Sequence, residues 1–422
     1  MRAPDEPSAS GELPPPPGGT LPGRAWRLRA GHRRFLEDEL VRLLGFSGQP
    51  RHPRGGFGWL DAGGEVDPTQ PVHTWITARM THVHALATLH GRPGHAALVD
   101  HGVDALTGPL QTPRGWVDAL PVSGEPSPRH QAYTHAFVVL AAASATAAAR
   151  PGASALLDRA LEVLQERFLD AHGRVIDARD ADDTPEPYRG ANASMHVVEA
   201  TLAAGDVTGD DRWHAAALTI ATHLIDEVTR AHGWRLVEHF DATWSPLLEH
   251  NRDAPDHPFQ PYGTTIGHWF EWARLLLHLE ASLAEPPPWL LEAAHALLHA
   301  SLTVGWAADG APGFVYTLDW QDRPVVANRL HWVVAEAIAA TAAYHQRTGD
   351  PAADAWYRHL WEHAATHFLD HTRGSWHHEL DPALQVATGT WSGKPDLYHA
   401  VQATLLPRLE LSPALAAQLR GG

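Results

Sequence analysis

The chain has 422 residues and a formal net charge of −17, with 49 acidic against 32 basic side chains, 31 histidines and no cysteine. So acidic a chain excludes nucleic acid as a partner, because that binding needs Lys and Arg to displace counterions. The missing cysteines exclude disulfides and thiolate chemistry and fit a reducing cytoplasm, while no apolar stretch approaches the roughly 18 residues of a membrane span and no signal-peptide core follows Arg2.

Residues 1–23, rich in Pro, Gly, Ser and Glu, are expected to be a disordered tail, and 24–422 a single domain. A first helix is predicted over Trp26–Leu44. Beyond it a turn glycine followed by an aromatic or aliphatic residue recurs at Gly58-Trp59, Gly115-Trp116, Gly173-Arg174-Val175, Gly233-Trp234, Gly313-Phe314 and Gly374-Ser375-Trp376. The spacings are 57, 58, 60, 80 and 61 residues, which marks one supersecondary unit used repeatedly. Most of these elements run on to an acid, as in Asp61, Asp118, Asp177, Asp319 and Glu379. Two segments with apolar residues three and four apart follow each of the first five. In chain order they are Thr74–His90 with Gly94–Leu106, His130–Ala149 with Ala153–Leu169, Ala191–Ala204 with Asp211–Val228, Thr265–Leu283 with Trp289–Leu302, and Leu330–Arg347 with Ala352–Phe368. Each pair is split by a Gly, Pro or Asp break that stops one helix and starts the next. The 80-residue spacing carries an insertion, 244–262, rich in His, Pro and Asp, that reads equally as a lid or an elongated loop. A last helix over Leu397–Leu405 brings the count to twelve. Six helical hairpins with short β-hairpin elements between them, and no repeat that reads as a polar cap, predict an all-α (α/α)6 barrel.

The first helix of each hairpin is apolar nearly all round and so belongs to the inner ring. Polar residues at the starts of these helices then converge on one mouth: Trp75 and Arg79, Tyr133, Asn192, Met195 and His196, His268 and Glu271, Trp332 and Glu336, and Tyr398 and His399. With 31 histidines, identity alone singles out none of them; the shared repeat position does. His359, His363, His367 and His371, four apart on an outer helix, are read as a solvated face. No His-Glu-x-x-His zinc motif, nucleotide-binding glycine pattern or nucleophilic triad is present, so neither a catalytic metal nor a cofactor is expected.

Met195-His196-x-x-Glu199, Gly267-His268-x-x-Glu271-Trp272 and Lys394-Pro395-Asp396-x-Tyr398-His399 resemble the three histidine motifs of the N-acylglucosamine 2-epimerase superfamily. Trp75-Ile76-Thr77-Ala78-Arg79 and His331-Trp332-x-x-x-Glu336 match its inner-helix arginine and its Trp/Glu helix. The likeness runs from about Arg33 to Leu405 and implies an (α/α)6 barrel acting on a monosaccharide. The second and third motifs look most like those of the superfamily's bacterial aldose–ketose isomerases, which act on mannose or sulfoquinovose; a sugar 2-epimerase is the further alternative. The resemblance implies that His268 and His399 are the acid/base pair about C1 and C2, and that His196 bonds the sugar oxygens. Histidine suits the task because its ordinary pKa lies near neutrality.

Arg79, a permanent cation, is read as the clamp on O1 and O2. Glu271, one turn after His268, is read as the residue that orients that imidazole, since residues three apart share a helix face. Glu336, Asn192 and Tyr133 read as hydroxyl ligands. Trp75, Trp332 and Trp391 read as apolar walls or as core packing. Lys394, the only lysine, stands beside the last motif, and it or Arg252 is a candidate to meet a sulfonate. Two rivals remain at this stage. An inverting glycosidase using Glu271 and Glu336 leaves three mouth histidines unexplained, and a non-catalytic sugar-binding protein leaves their retention with Arg79 unexplained. The sequence leaves open a homodimer or higher homo-oligomer.

Overall fold

The computed structural model describes residues 12–18, 25–48, 50–390 and 392–421. Five hairpins follow one another: α2 (Thr74–Leu89) with α3 (Ala96–Leu106), α4 (Ala132–Ala147) with α5 (Ala153–Val163), α6 (Ala191–Thr208) with α7 (Arg212–Ala221), α8 (Ile266–Ser282) with α9 (Trp289–Ala300), and α10 (His331–Thr348) with α11 (Pro351–His367). The chain ends supply the sixth, in which α1 (Ala30–Phe46) packs on α12 (Tyr398–Leu405). The even-numbered helices touch in sequence around a ring, and α12 closes it against α2. This is the (α/α)6 barrel expected from the repeat.

Sequence explains which helix lies inside. In α4 every residue except Tyr133 and Thr146 is buried, as its unbroken apolar run Ala136–Ala143 requires. In α5 burial falls on Leu156, Leu157, Ala160, Leu161 and Val163, one stripe of an amphipathic helix. Closure between the ends is polar as well as apolar: the Trp376 indole donates to Glu39 at 2.8 Å, and the Arg42 guanidinium donates to the Asp370 carbonyl at 2.9 Å.

Short antiparallel pairs stitch each repeat to the next. The two residues before an inner helix pair with two beyond the following glycine element: Val72-His73 with Ala119-Leu120, His130-Gln131 with Ala178-Arg179, Arg189-Gly190 with His239-Phe240, Thr264-Thr265 with Thr317-Leu318, and Arg329-Leu330 with Glu379-Leu380. The first backbone N–H of each helix extends the stitch, donating to the carbonyl of Asp118, Asp177, Glu238, Tyr316 or His378 in turn. Orphan helix N–H groups are thereby satisfied by backbone, and five side chains from equivalent positions are brought round the mouth. The glycine elements need their glycines for space. At Gly115, with φ at +133°, a Cβ would lie 2.3 Å from the His135 ring.

Three expectations are corrected. Of the first 23 residues, 12–18 are not a solvated tail, because Leu13 is buried in the core and the Pro14 carbonyl accepts the Trp356 indole N–H at 2.6 Å. His363 lies on an outer helix as predicted but is buried there, edge-on to Trp306 and beneath Gly313, because outer helices also pack against the glycine elements. A thirteenth helix, α13 (Leu415–Arg420), follows the barrel and packs on α2, α4 and α6. Among the described residues no helix is long and apolar enough to cross a membrane.

The buried imidazoles make stability acid-sensitive. His135 donates from Nδ1 to the Gln131 carbonyl at 2.7 Å and accepts the Trp116 N–H on Nε2 at 3.1 Å, so the fold uses its neutral form. Burial lowers His135, His84 and His363 to about 3 and His82 to about 4. Between these values and the unfolded value near 6.5 the unfolded chain binds more protons, so stability falls as pH falls. Asp177, raised by burial to about 7, and Asp118 and Glu271, raised in the same direction, work in the opposite sense. Burial lowers many more imidazoles, however, His32, His73, His239 and His331 among them. Calorimetry between pH 6.5 and 4.5 should show a steady fall in Tm, each such imidazole contributing up to about 1.4 kcal/mol per pH unit. A flat Tm over that interval would contradict the neutral, buried state of these histidines.

Candidate active site

The inner-helix N-termini enclose a cavity lined by Trp75, Arg79, Tyr133, Asn192, His196, His268, Glu271, Trp332 and His399, most of the residues expected at the mouth from sequence, while Tyr398 is fully buried outside the lining. Glu336 lies just behind it, joined to His399. Met195 is fully buried and outside the lining, and Trp391 lies outside the described residues. Lys394 is turned away: its ammonium donates to Asp370 Oδ2 at 2.7 Å and to the Gly374 carbonyl at 2.6 Å, which fastens the last repeat. Arg252 pairs with Glu249 at 2.7 Å in the insertion and also misses the cavity.

Each imidazole of the expected acid/base pair is held by a carboxylate. His268 Nδ1 lies 3.1 and 3.0 Å from the two oxygens of Glu238, and His399 Nδ1 lies 2.9 Å from Glu336 Oε1. Because a carboxylate only accepts, Nδ1 carries the proton and Nε2 carries the lone pair. Both rings pack on Trp332, with centroids 5.3 and 5.8 Å from it. Burial lowers the pKa of His399, and the bond to Glu336 opposes that shift. His196 is lowered by burial to about 4, so at neutral pH it is an uncharged hydrogen-bonding group.

Two roles expected from sequence are thereby reassigned. Glu238, not Glu271, orients His268. Glu271 shares a helix face with His268 but points along the axis towards Arg274, 3.4 Å away. Glu336 is spent on Arg274 Nε at 2.9 Å and on His399 rather than on a sugar hydroxyl. Glu238 has a sequence signal: it stands at the end of the Gly233-Trp234 element, the stitch position held by Asp118 and Asp177 in the two repeats before it.

Arg79 is fixed from three sides. It donates to Asp396 Oδ2 at 3.2 Å and to the Tyr133 hydroxyl at 3.0 Å, and it lies over the rings of Trp75, Phe137 and Tyr398 at 4.3 to 4.9 Å. The rest of the wall was given no site role from sequence, although His331 and Asp396 stand within the motifs that carry the resemblance. It comprises Tyr316, Asp396 and the stacked rings of His331 and His378, whose centroids are 3.7 Å apart. The insertion adds Pro258, Phe259 and Pro261, so it builds part of the cavity, with the Phe259 ring 5.7 Å from Tyr133.

Glu271 lies at the floor of the cavity and, with Glu199 and Glu336 beneath it, surrounds Arg274. Two groups there have metal-ligand spacing, His196 with Glu199 and Glu271, and Glu271 with Glu336 and His399. The guanidinium already supplies the positive charge that such donors would seek.

The model of the N-acylglucosamine 2-epimerase (GlcNAc 2-epimerase) family matches residues 55–403. A D-mannose isomerase of Thermobifida fusca is 54% identical over 400 residues, covering 93% of this chain and 98% of that one. A D-mannose isomerase of Pseudomonas cannabina pv. alisalensis is 47% identical over 405 residues, covering 94% and 97%. The crystal structure of a D-mannose isomerase superposes with a TM-score of 0.82 at 26% identity, covering 92% of this chain and 99% of that one. For the cellobiose 2-epimerase of Spirochaeta thermophila the score is 0.78 at 22% identity, with 92% and 98% covered, a likeness of fold. The histidine motifs, the closed ring and a family match over most of its length agree: the chain belongs to the N-acylglucosamine 2-epimerase family.

Proposed function

We propose that the cavity interconverts D-mannose and D-fructose, with D-lyxose and D-xylulose as a secondary pair, by proton transfer through an enediolate. The observation that carries this reading is the pair of carboxylate-held imidazoles, His268 with Glu238 and His399 with Glu336, beside the fixed cation Arg79. Relatives at 54% and 47% identity that bear the name D-mannose isomerase support the choice of sugar. A sulfonated sugar fits less well, since Lys394 and Arg252 both miss the cavity.

In this mechanism Trp75, Trp332 and Tyr133 hold the apolar faces of the sugar. After the ring opens, one imidazole Nε2 removes the proton on C2, whose electrons form the C1–C2 double bond while O1 takes up charge. Arg79 and His196, both buried, stabilise that oxygen. The proton is returned to C1 as O2 passes its own proton to O1, so C2 becomes the carbonyl and the neutral ketose results. The carboxylate behind each imidazole stabilises the transient imidazolium and keeps the basic nitrogen towards the substrate. No step needs a metal, and Arg274 already fills the carboxylate cluster where one would bind.

D-Mannose alone should yield D-fructose as first product, as chromatography would show; D-glucose appearing first would move the assignment to an epimerase. Activity should survive exhaustive EDTA treatment, whereas loss reversed by one stoichiometric divalent ion would refute the metal-free mechanism.

His268→Asn and His399→Asn should each lower kcat by about 10²–10⁴-fold with folding intact. Glu238→Gln should lower kcat at least about tenfold with KM nearly unchanged, because an amide that can donate as well as accept no longer fixes the proton on Nδ1 and the lone pair on Nε2. An unchanged kcat would remove Glu238 from this positioning role.

A further inference from the structure

Opening a hemiacetal ring needs an acid at the ring oxygen, and few lining groups can act as one. The Nδ1 protons of His268 and His399 are committed to carboxylates, so these rings present bases. Arg79 does not give up protons. Tyr133, raised by burial to about 12, and Tyr316, raised further, are weak acids. Burial keeps His196, His331 and His378 as neutral imidazoles. Asp396 is committed as an acceptor to Arg79 and the Tyr398 N–H. Glu271 remains.

Its surroundings set its charge. Arg274 lies 3.9 Å from Glu199, 3.4 Å from Glu271 and 2.9 Å from Glu336, one guanidinium for three carboxyl groups. Glu199 also accepts from the Tyr398 hydroxyl and from Gln402, and Glu336 is within bonding distance of His399. Both are well supported as anions. Glu271 has the longest of the hydrogen bonds in the cluster, 3.4 Å from Arg274, and its Oε2 has no partner although the residue is fully buried and lines the cavity. An unpartnered buried charge beside two other carboxylates is the most costly arrangement of the three.

We propose that Glu271 stands protonated in the free enzyme and is the catalytic acid of ring opening, a role that rests on the isomerase reading above. As the C1–O5 bond breaks, the carboxyl proton passes to O5, the O1 hydroxyl gives its proton to an imidazole Nε2, and C1 becomes a carbonyl. When the ketose ring closes, O5–H returns its proton to Glu271, so the cycle needs no outside acid. The groups around it agree on the direction. Burial, then Glu336 from α10 and Glu199 from α6, hold its pKa well above the carboxylate range, against Arg274 on its own helix and Arg79 from α2. His196, Tyr133, Tyr398 and His399 complete the surroundings from α6, α4 and α12.

Ring opening can be read separately from isomerisation by following the conversion of pure α-D-mannopyranose into its β-anomer by NMR. The wild type should accelerate that exchange as well as form fructose. Glu271→Gln, with an unchanged Tm, should lose both by at least about 10²-fold. A variant that exchanges anomers at the wild-type rate would overturn the proposal, as would a wild type that forms fructose without accelerating exchange. A wild type that forms no fructose would instead overturn the isomerase reading. A second measurement does not depend on the variant folding. Infrared spectra at pH 7 of wild-type protein carrying 13C-carboxyl glutamate should show a protonated-carboxyl carbonyl stretch shifted by the label. A spectrum in which no such band shifts would overturn the proposal.

Discussion

One buried guanidinium holds the centre of this barrel. Arg274 is about 2% exposed and meets carboxyl groups from α6, α8 and α10 across the axis. Without it, Glu199 and Glu336 would be anions buried without a counter-charge, and breaking such a buried pair typically costs about 3–5 kcal/mol. The catalytic geometry depends on the same contact. Ionised Glu336 holds His399, ionised Glu199 holds Tyr398, and Tyr398 is one of the rings beneath Arg79. His399 and the cation opposite it are therefore positioned from one charged cluster, and His196 lies 3.5 Å from its Glu199. His268 is the exception, held by Glu238 from the stitch between repeats.

That stitch accounts for how a repetitive chain builds an asymmetric site. Five repeats each deliver one side chain to the same place, where its backbone carbonyl receives the N-terminus of the preceding inner helix. The occupants differ: Asp118, Asp177, Glu238, Tyr316 and His378. The fold supplies identical backbone positions, and substitution among them supplies the chemistry. The insertion before α8 adds a wall where the repeat has none.

Much of this was legible in the chain. Apolar periodicity and glycine spacing yielded the hairpins, and the all-round apolar helices yielded the inner ring. The histidines at 196, 268 and 399 stood out by sharing a phase rather than by identity. What stayed hidden follows from side-chain direction. Spacing placed Glu271 and His268 on one face, yet an inner helix presents part of that face to the mouth and part to the axis, and only packing separates them. Glu238 lies 30 residues before its histidine, and Arg274 sits in a helix whose pattern reads as apolar. His363 was read as solvated because its helix is outer, but an outer helix has a buried side too. Leu13 and α13 escaped because a short apolar anchor in a polar, Pro-rich stretch carries no period.

Mannose deuterated at C2 tests the central claim, that an imidazole rather than a direct hydride shift carries the hydrogen between carbons. The enzyme would be run through many forward and reverse turnovers in ordinary water and the label then located by NMR. Proton transfer through His268 and His399 predicts a slower first turnover than with unlabelled sugar, and progressive loss of deuterium to solvent. Deuterium fully retained in the mannose–fructose pool at equilibrium would contradict it.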